Sequence, residues 1–187
     1  MDTTGVVADV NALVDAAAPG FRRRKFESGT PLPSKENLGA LLSWFSSQSL
    51  LSLHVSPHIL GETARVLKLP RPEGLGVSVE AADAYVSLVG WLAKESGGGW
   101  VLEPPPLNVL RDFEDNSILA AAVASKSQLI ISADQRLRDI TGYEGIAVLP
   151  PDEFVKRMDV VQRAARRELE RLLPKLRGRA GMKGPGG

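Results

Sequence analysis

No cysteine occurs anywhere in the 187 residues. That excludes a disulfide framework, a thiolate nucleophile and a thiolate-held zinc. Histidine is nearly absent too: only His54 and His58 occur, so an imidazole-rich metal centre would need both. Aromatic residues make up 5% of the chain, and Trp44, Trp91 and Trp100 fall where packing, not base stacking, would use them. No apolar run approaches the ~20 residues of a membrane span. The opening Met-Asp-Thr-Thr-Gly-Val-Val lacks the basic segment and apolar stretch of a signal peptide. The expectation is a soluble, cytoplasmic chain without a membrane partner. Any metal must be held mainly by oxygen, and any acid–base work must fall mainly to carboxylates.

What is present suits a globular body: 43% apolar and 24% charged residues, in a length that supports one core. The formal net charge of +1 hides an asymmetry. Residues 156–187 carry ten basic and three acidic groups, a balance of +7, which leaves −6 on residues 1–155. An acidic body with a basic arm suggests an anionic partner that approaches an acidic site.

Strand and helix signals alternate along the body. Gly5 to Asp9 is a short apolar run ending in a carboxylate, followed by a helix from Val10 to Ala18 that Pro19-Gly20 should stop. A polar loop, 20–35, contains Arg22, Arg23, Arg24 and Lys25. Leu38 to Gln48 reads as an amphipathic helix and Leu51 to Val55 as a strand. Ser56-Pro57 is a cap and first-turn signal for a helix reaching about Lys68. Val79 to Ser96 is helical, ended by Gly97-Gly98-Gly99. Trp100 to Leu102 is a brief strand, Asn116 to Lys126 an alanine-rich helix, and Leu129 to Ser132 a buried strand. A short helix lies around Leu137, a last strand covers Gly145 to Leu149, and Pro150-Pro151 opens a final helix. This α/β order predicts a central parallel sheet covered on both faces. It divides the chain into a body, 1–155, a basic C-terminal helix, 156–177, and a Gly-rich tail, 178–187, that reads as disordered.

In such a sheet, ligands sit beyond the carboxyl ends of the strands. Asp9, Asp134, Asp115 (with Asp112 one turn before it) and Glu62 all fall at or near such ends. Each has an ordinary alternative: Asp9, Asp115 and Asp134 as helix caps, Glu62 as a partner of Arg65. Brought together, they repel one another by about 4 kcal/mol per pair at ~4 Å and an effective dielectric of 20. A hard cation, Mg²⁺ or Mn²⁺, removes that cost.

The ordered set resembles the PIN-domain ribonucleases, and most closely the VapC-like toxins of toxin–antitoxin pairs. The stretches that carry the resemblance are Val6–Val14 with Asp9 and Asn11, Val55–Glu62 with Arg65-Val66-Leu67, Asp112–Asn116 with Leu119-Ala120, Leu129–Asp134, and Gly145–Phe154. They span residues 6–155. The resemblance implies a three-layer α/β/α sandwich and a Mg²⁺-dependent endoribonuclease, with Mn²⁺ as an alternative ion. It implies a catalytic quartet of Asp9, Glu62, Asp115 and Asp134. Asp9, Asp115 and Asp134 would hold the metal, and Glu62 would complete the site or orient the attacking water. Asn11, Ser132 and Asp112 would be hydrogen-bonding supports. It also implies RNA as substrate and a cognate antitoxin protein as partner, with the amphipathic helices able to serve as a docking groove or homodimer face. Because an acidic pocket repels RNA, the candidate phosphate clamps are Arg22, Arg23, Arg24 and Lys25, and the helix face Arg163, Arg167 and Arg171. Two rivals stand beside this reading. A phospho-aspartate phosphatase would want a second acid where Asn11 stands. A non-catalytic PIN-like module would bind RNA or protein without chemistry.

Overall fold

Asp9 and Asp134 follow neighbouring strands, although 125 positions separate them in the sequence. In the computed structural model, which describes residues 3–21, 42, 50–102, 104–158, 160–161 and 167, five strands form one sheet: β1 (Thr4–Ala8), β2 (Leu51–Val55), β3 (Gly99–Trp100), β4 (Leu129–Ile131) and β5 (Ala147–Leu149). Their order is β3-β2-β1-β4-β5, and every pairing is parallel. The chain steps outward from β1 through β2 to β3, then returns across the sheet to β4 and β5. The direction of travel thus reverses between β1 and β4, which is where an open parallel sheet leaves a crevice.

The helices are α1 (Val10–Phe21), α2 (Pro57–Lys68), α3 (Val79–Glu95), α4 (Phe113–Ala124), α5 (Gln135–Asp139) and α6, which begins at 151 and is helical through 158. Right-handed crossovers put α1, α2 and α3 over one face and α4 and α5 over the other, giving the expected α/β/α sandwich. Packing agrees, since α1 meets α2, α2 meets α3, and α4 meets α5. Val6, Val7, Ala8, Ile130 and Ile131 are buried, as a strand covered on both faces requires. Leu13 from α1, Ile59 from α2, Leu119 from α4 and Phe154 from α6 complete a continuous core.

Local chemistry explains the helix starts. Ser56 Oγ accepts from Ile59 N–H (3.2 Å), with Pro57 opening α2, and Ser78 Oγ accepts from Ala81 N–H (3.2 Å). Buried Ser96, at the end of α3, accepts from Leu53 N–H (2.9 Å) and donates to Ala93 O (2.9 Å). That bond ties the helix to β2. At Gly98 the chain passes so close to β2 that an added Cβ would stand 2.0 Å from Leu53 O.

Several boundaries differ from expectation. Helix α1 runs through Pro19-Gly20 to Phe21; a proline in a last turn removes one hydrogen bond without ending the helix. Helix α4 starts at Phe113, not Asn116, because Asp112 is its cap, accepting from Glu114 N–H (2.8 Å). A boundary at 155/156 falls inside α6, whose Phe154 and Val155 are part of the core. The Arg22–Lys25 cluster, Arg163, Arg171 and the tail 178–187 lie outside the described residues, as does the 38–48 helix apart from buried Leu42.

Candidate functional site: a carboxylate cup at the sheet edge

Asp9 follows β1 directly, and its N–H donates to Ile131 O (2.9 Å), continuing the β1–β4 ladder by one rung. Ser132 therefore stands beside it. The Ser132 hydroxyl, fully buried, donates to Asp9 Oδ2 (2.7 Å) and accepts from Asp134 N–H (3.0 Å). One side chain thus fixes the spacing of two acids. The third comes from α4: with Asp112 as its cap, Asp115 lies one turn into the helix and is buried.

Asn116 secures that turn. Its Oδ1 accepts from Val109 N–H (3.0 Å) and Leu110 N–H (2.9 Å), and its Nδ2 donates to Leu110 O (2.6 Å) and Asp112 O (2.8 Å). All its hydrogen-bonding capacity is spent on the segment leading into α4. It positions Asp112 and Asp115 and is a support that reading the sequence for acids alone overlooks.

The charges act on one another. Burial pushes the Asp9 carboxyl up, against the hydrogen bond from Ser132 and the backbone N–H groups of Val10 and Asn11 that favour its ionised form, and Asp134 adds to the rise. Asp115 is pushed up to about 6, first by burial and then by the charge of Asp134, with smaller contributions from Asp112 and Asp9. Asp134 and Asp112 are instead held low. For Asp134 the main cause is its hydrogen bonds with Arg136; for Asp112 it is the Glu114 N–H, then Arg136.

Arg136 is the second residue overlooked. From the first turn of α5 its guanidinium reaches Asp112 Oδ2 (Nη1, 2.9 Å), Asp134 Oδ2 (Nη2, 3.0 Å) and Asp115 Oδ2 (Nε, 3.2 Å). The Asp115 contact is an ion pair by distance only, and Asp115 Oδ2 is a buried oxygen without a hydrogen-bond partner. The available signal was Asp134-Gln135-Arg136: a cation in a helix's first turn opposes the helix dipole unless acids offset it.

The expected quartet is a trio. Asp9, Asp115 and Asp134 come together, whereas Glu62 accepts from Arg65 on its own helix (2.7 Å) and is not among the charges that move Asp9 or Asp115. Asn11 supports Asp9 through its backbone N–H, while the residue is exposed and lines a separate cleft with Asp15, Arg71 and Glu73. Ser132 holds the expected place. Asp112 reaches the cup through Arg136. Asp134 is both cap and cup member, since its Oδ1 accepts from Arg136 N–H (2.8 Å). Arg167 is exposed and helical.

A cleft of about 380 Å³ opens between the first turns of α2 and α4, lined by Pro57, His58, Pro104–Pro106, Leu107, Phe113 and Asn116 and by none of the three acids. Phe113 is 75% exposed, and its ring meets the His58 ring edge-on (5.7 Å between centroids).

No protein-family model, curated protein or solved structure matches the chain. Its chemistry must therefore be argued from the site. The donors are carboxylate oxygens, which suit a hard divalent ion, and the buried Asp115 Oδ2, which accepts no hydrogen bond, fits such a ligand. As placed, however, no three acidic or imidazole groups among the described residues stand where they could share one ion. Arg136 lies among them instead. No helix of the described residues is long and apolar enough to cross a membrane.

Proposed function

We propose that the chain is a metal-dependent endoribonuclease of the PIN-like kind, acting as the toxin of a toxin–antitoxin pair. The observation that carries this reading is that Asp9, Asp115 and Asp134 are drawn from three distant segments to the crevice between β1 and β4, where the ionisation of two of them is opposed chiefly by burial and further by the charge of Asp134. Structural carboxylates are normally placed where their charge is satisfied. Crowding them at a ligand-binding edge is characteristic of a site that awaits a cation.

Asp9, Asp115 and Asp134 would hold Mg²⁺ or Mn²⁺. The chemistry such an ion supplies is charge neutralisation at phosphorus and acidification of water. Ser132 orients Asp9, and Asn116 fixes the turn that delivers Asp115. Glu62 has no role in this arrangement. The cleft beside Phe113 and His58 would give an unstacked base of single-stranded RNA a ring to lie against. The toxin assignment and the antitoxin rest on the resemblance in residues 6–155.

One observation favours a second reading, a non-catalytic RNA- or protein-binding module: Arg136 already offsets part of the acids' charge. A mixed RNA pool incubated with Mg²⁺ decides between them. The wild-type chain cleaves, chelation stops it, and Asp9→Asn or Asp115→Ala lowers the rate by roughly 100-fold or more while the far-ultraviolet spectrum stays unchanged. Cleavage that survives either substitution, or no cleavage at all, overturns the nuclease.

A further inference from the structure

Donors that suit a divalent ion are gathered in no group of three among the described residues, and an arginine stands among them. Arg136 takes Asp134 Oδ2, Asp112 Oδ2 and the otherwise partnerless Asp115 Oδ2. The Asp115 side chain is 7% exposed, so water does little to satisfy that oxygen. The Arg136 side chain is 55% exposed. It is a long side chain lying across the mouth of the cup, and it fills no part of the core. The Asp112 and Asp134 carboxylates have their own backbone anchors as helix caps, and Asp115 is a buried residue within α4. The cup would therefore persist if the guanidinium left. Charge argues that it can leave: one positive group faces three carboxylates, and a dication in the same place interacts twice as strongly with each.

We propose that Arg136 is a displaceable internal counter-ion, holding Asp115 and Asp134 in the ion-free chain and yielding both to a divalent cation. The idea rests on the metal-dependent reading above and adds to it a residue that sets the cation affinity. It predicts that the ion must outcompete an arginine, so that affinity is limited from within the chain.

The test is Mn²⁺ binding by titration calorimetry, using the full chain as wild type, Arg136→Lys and Arg136→Gln. Lysine keeps the charge but cannot span three carboxylates as a planar fork does; glutamine removes the charge. The expected order of affinity is wild type, then lysine, then glutamine, with the last at least about tenfold tighter than the first. Without metal, Arg136→Gln melts below wild type, and it gains more in Tm when Mn²⁺ is added. If the wild type binds Mn²⁺ and Arg136→Gln binds equally or more weakly, the counter-ion role is overturned while the metal site stands. If none of the three binds Mn²⁺ at millimolar concentration, the metal site is overturned and the role of Arg136 goes with it.

Discussion

Asp115 carries the clearest consequence at the scale of single residues. Its folded-state pKa of about 6 lies above the ordinary value of 3.8, so the protonated form favours the folded chain. That contribution is fully present below pH 3.8 and is lost as pH rises through about 6; Asp9, also raised, acts in the same direction. Asp112 and Asp134, held low, act oppositely and only at more acidic pH. In the absence of metal, stability therefore declines between about pH 4 and 6.5. Asp115→Asn flattens this slope and stabilises the fold at pH 7 by about 1–2 kcal/mol once solvent screening is allowed for, seen as a higher Tm. Thermal melts across that range check it, and a variant that melts lower at pH 7 contradicts it. Asp9, Ser132 and Asp134 were legible because strand ends at a sheet edge are few and each carries a polar residue. Glu62 misled because its helical angle, just outside the apolar arc, fits a pocket and a partner three residues on equally well; Arg65 took it. Arg136 was invisible to a search that looked only for acids.

Among the elements, the β3–β2 contact is the most exacting. Gly98 has no room for a side chain against Leu53 O, so Gly98→Ala forces the backbone apart and costs about 1–3 kcal/mol or more. Chemical denaturation reads this as a lower midpoint with an unchanged slope, and a cost below 0.5 kcal/mol, roughly the level of a neutral surface change, refutes it. Such a contact cannot be read from Gly97-Gly98-Gly99, which looks like a helix terminator and is one: Gly97 follows the Ser96 cap with φ +77°. Serine caps and the proline at the start of α2 made helix starts readable, because those signals are local. The start of α4 was misread by one turn. Asp112 and Asp115 are equally good caps by residue type, and only the tertiary grip of Asn116 selects the first.

For the molecule as a whole, the alternation of β and α signals dictates a parallel sheet covered on both faces, so the sandwich was legible while the strand order and the docking of acids against a cation were not. The acidic body still needs help to hold a polyanion, and the basic residues after 156 are the sequence's own supply. Replacing Arg163, Arg167 and Arg171 with glutamine should reduce the slope of log K against log salt for single-stranded RNA by about 2. An unchanged slope assigns those residues to another task.

The reversal between β1 and β4 also makes the molecule divisible. Asp9 sits with β1, β2 and β3 on the N-terminal side of the proline-rich segment 104–106, while Asp112, Asp115, Asp134 and Arg136 all lie beyond it. A chain severed there would leave neither piece with the full set of acids, and their one strand-to-strand junction would be the seam where Val6 to Ala8 lie against Leu129 to Ile131, flanked by the packing of α4 on β1, β2 and α2. Whatever the cup does is in that sense a property of two half-molecules in register.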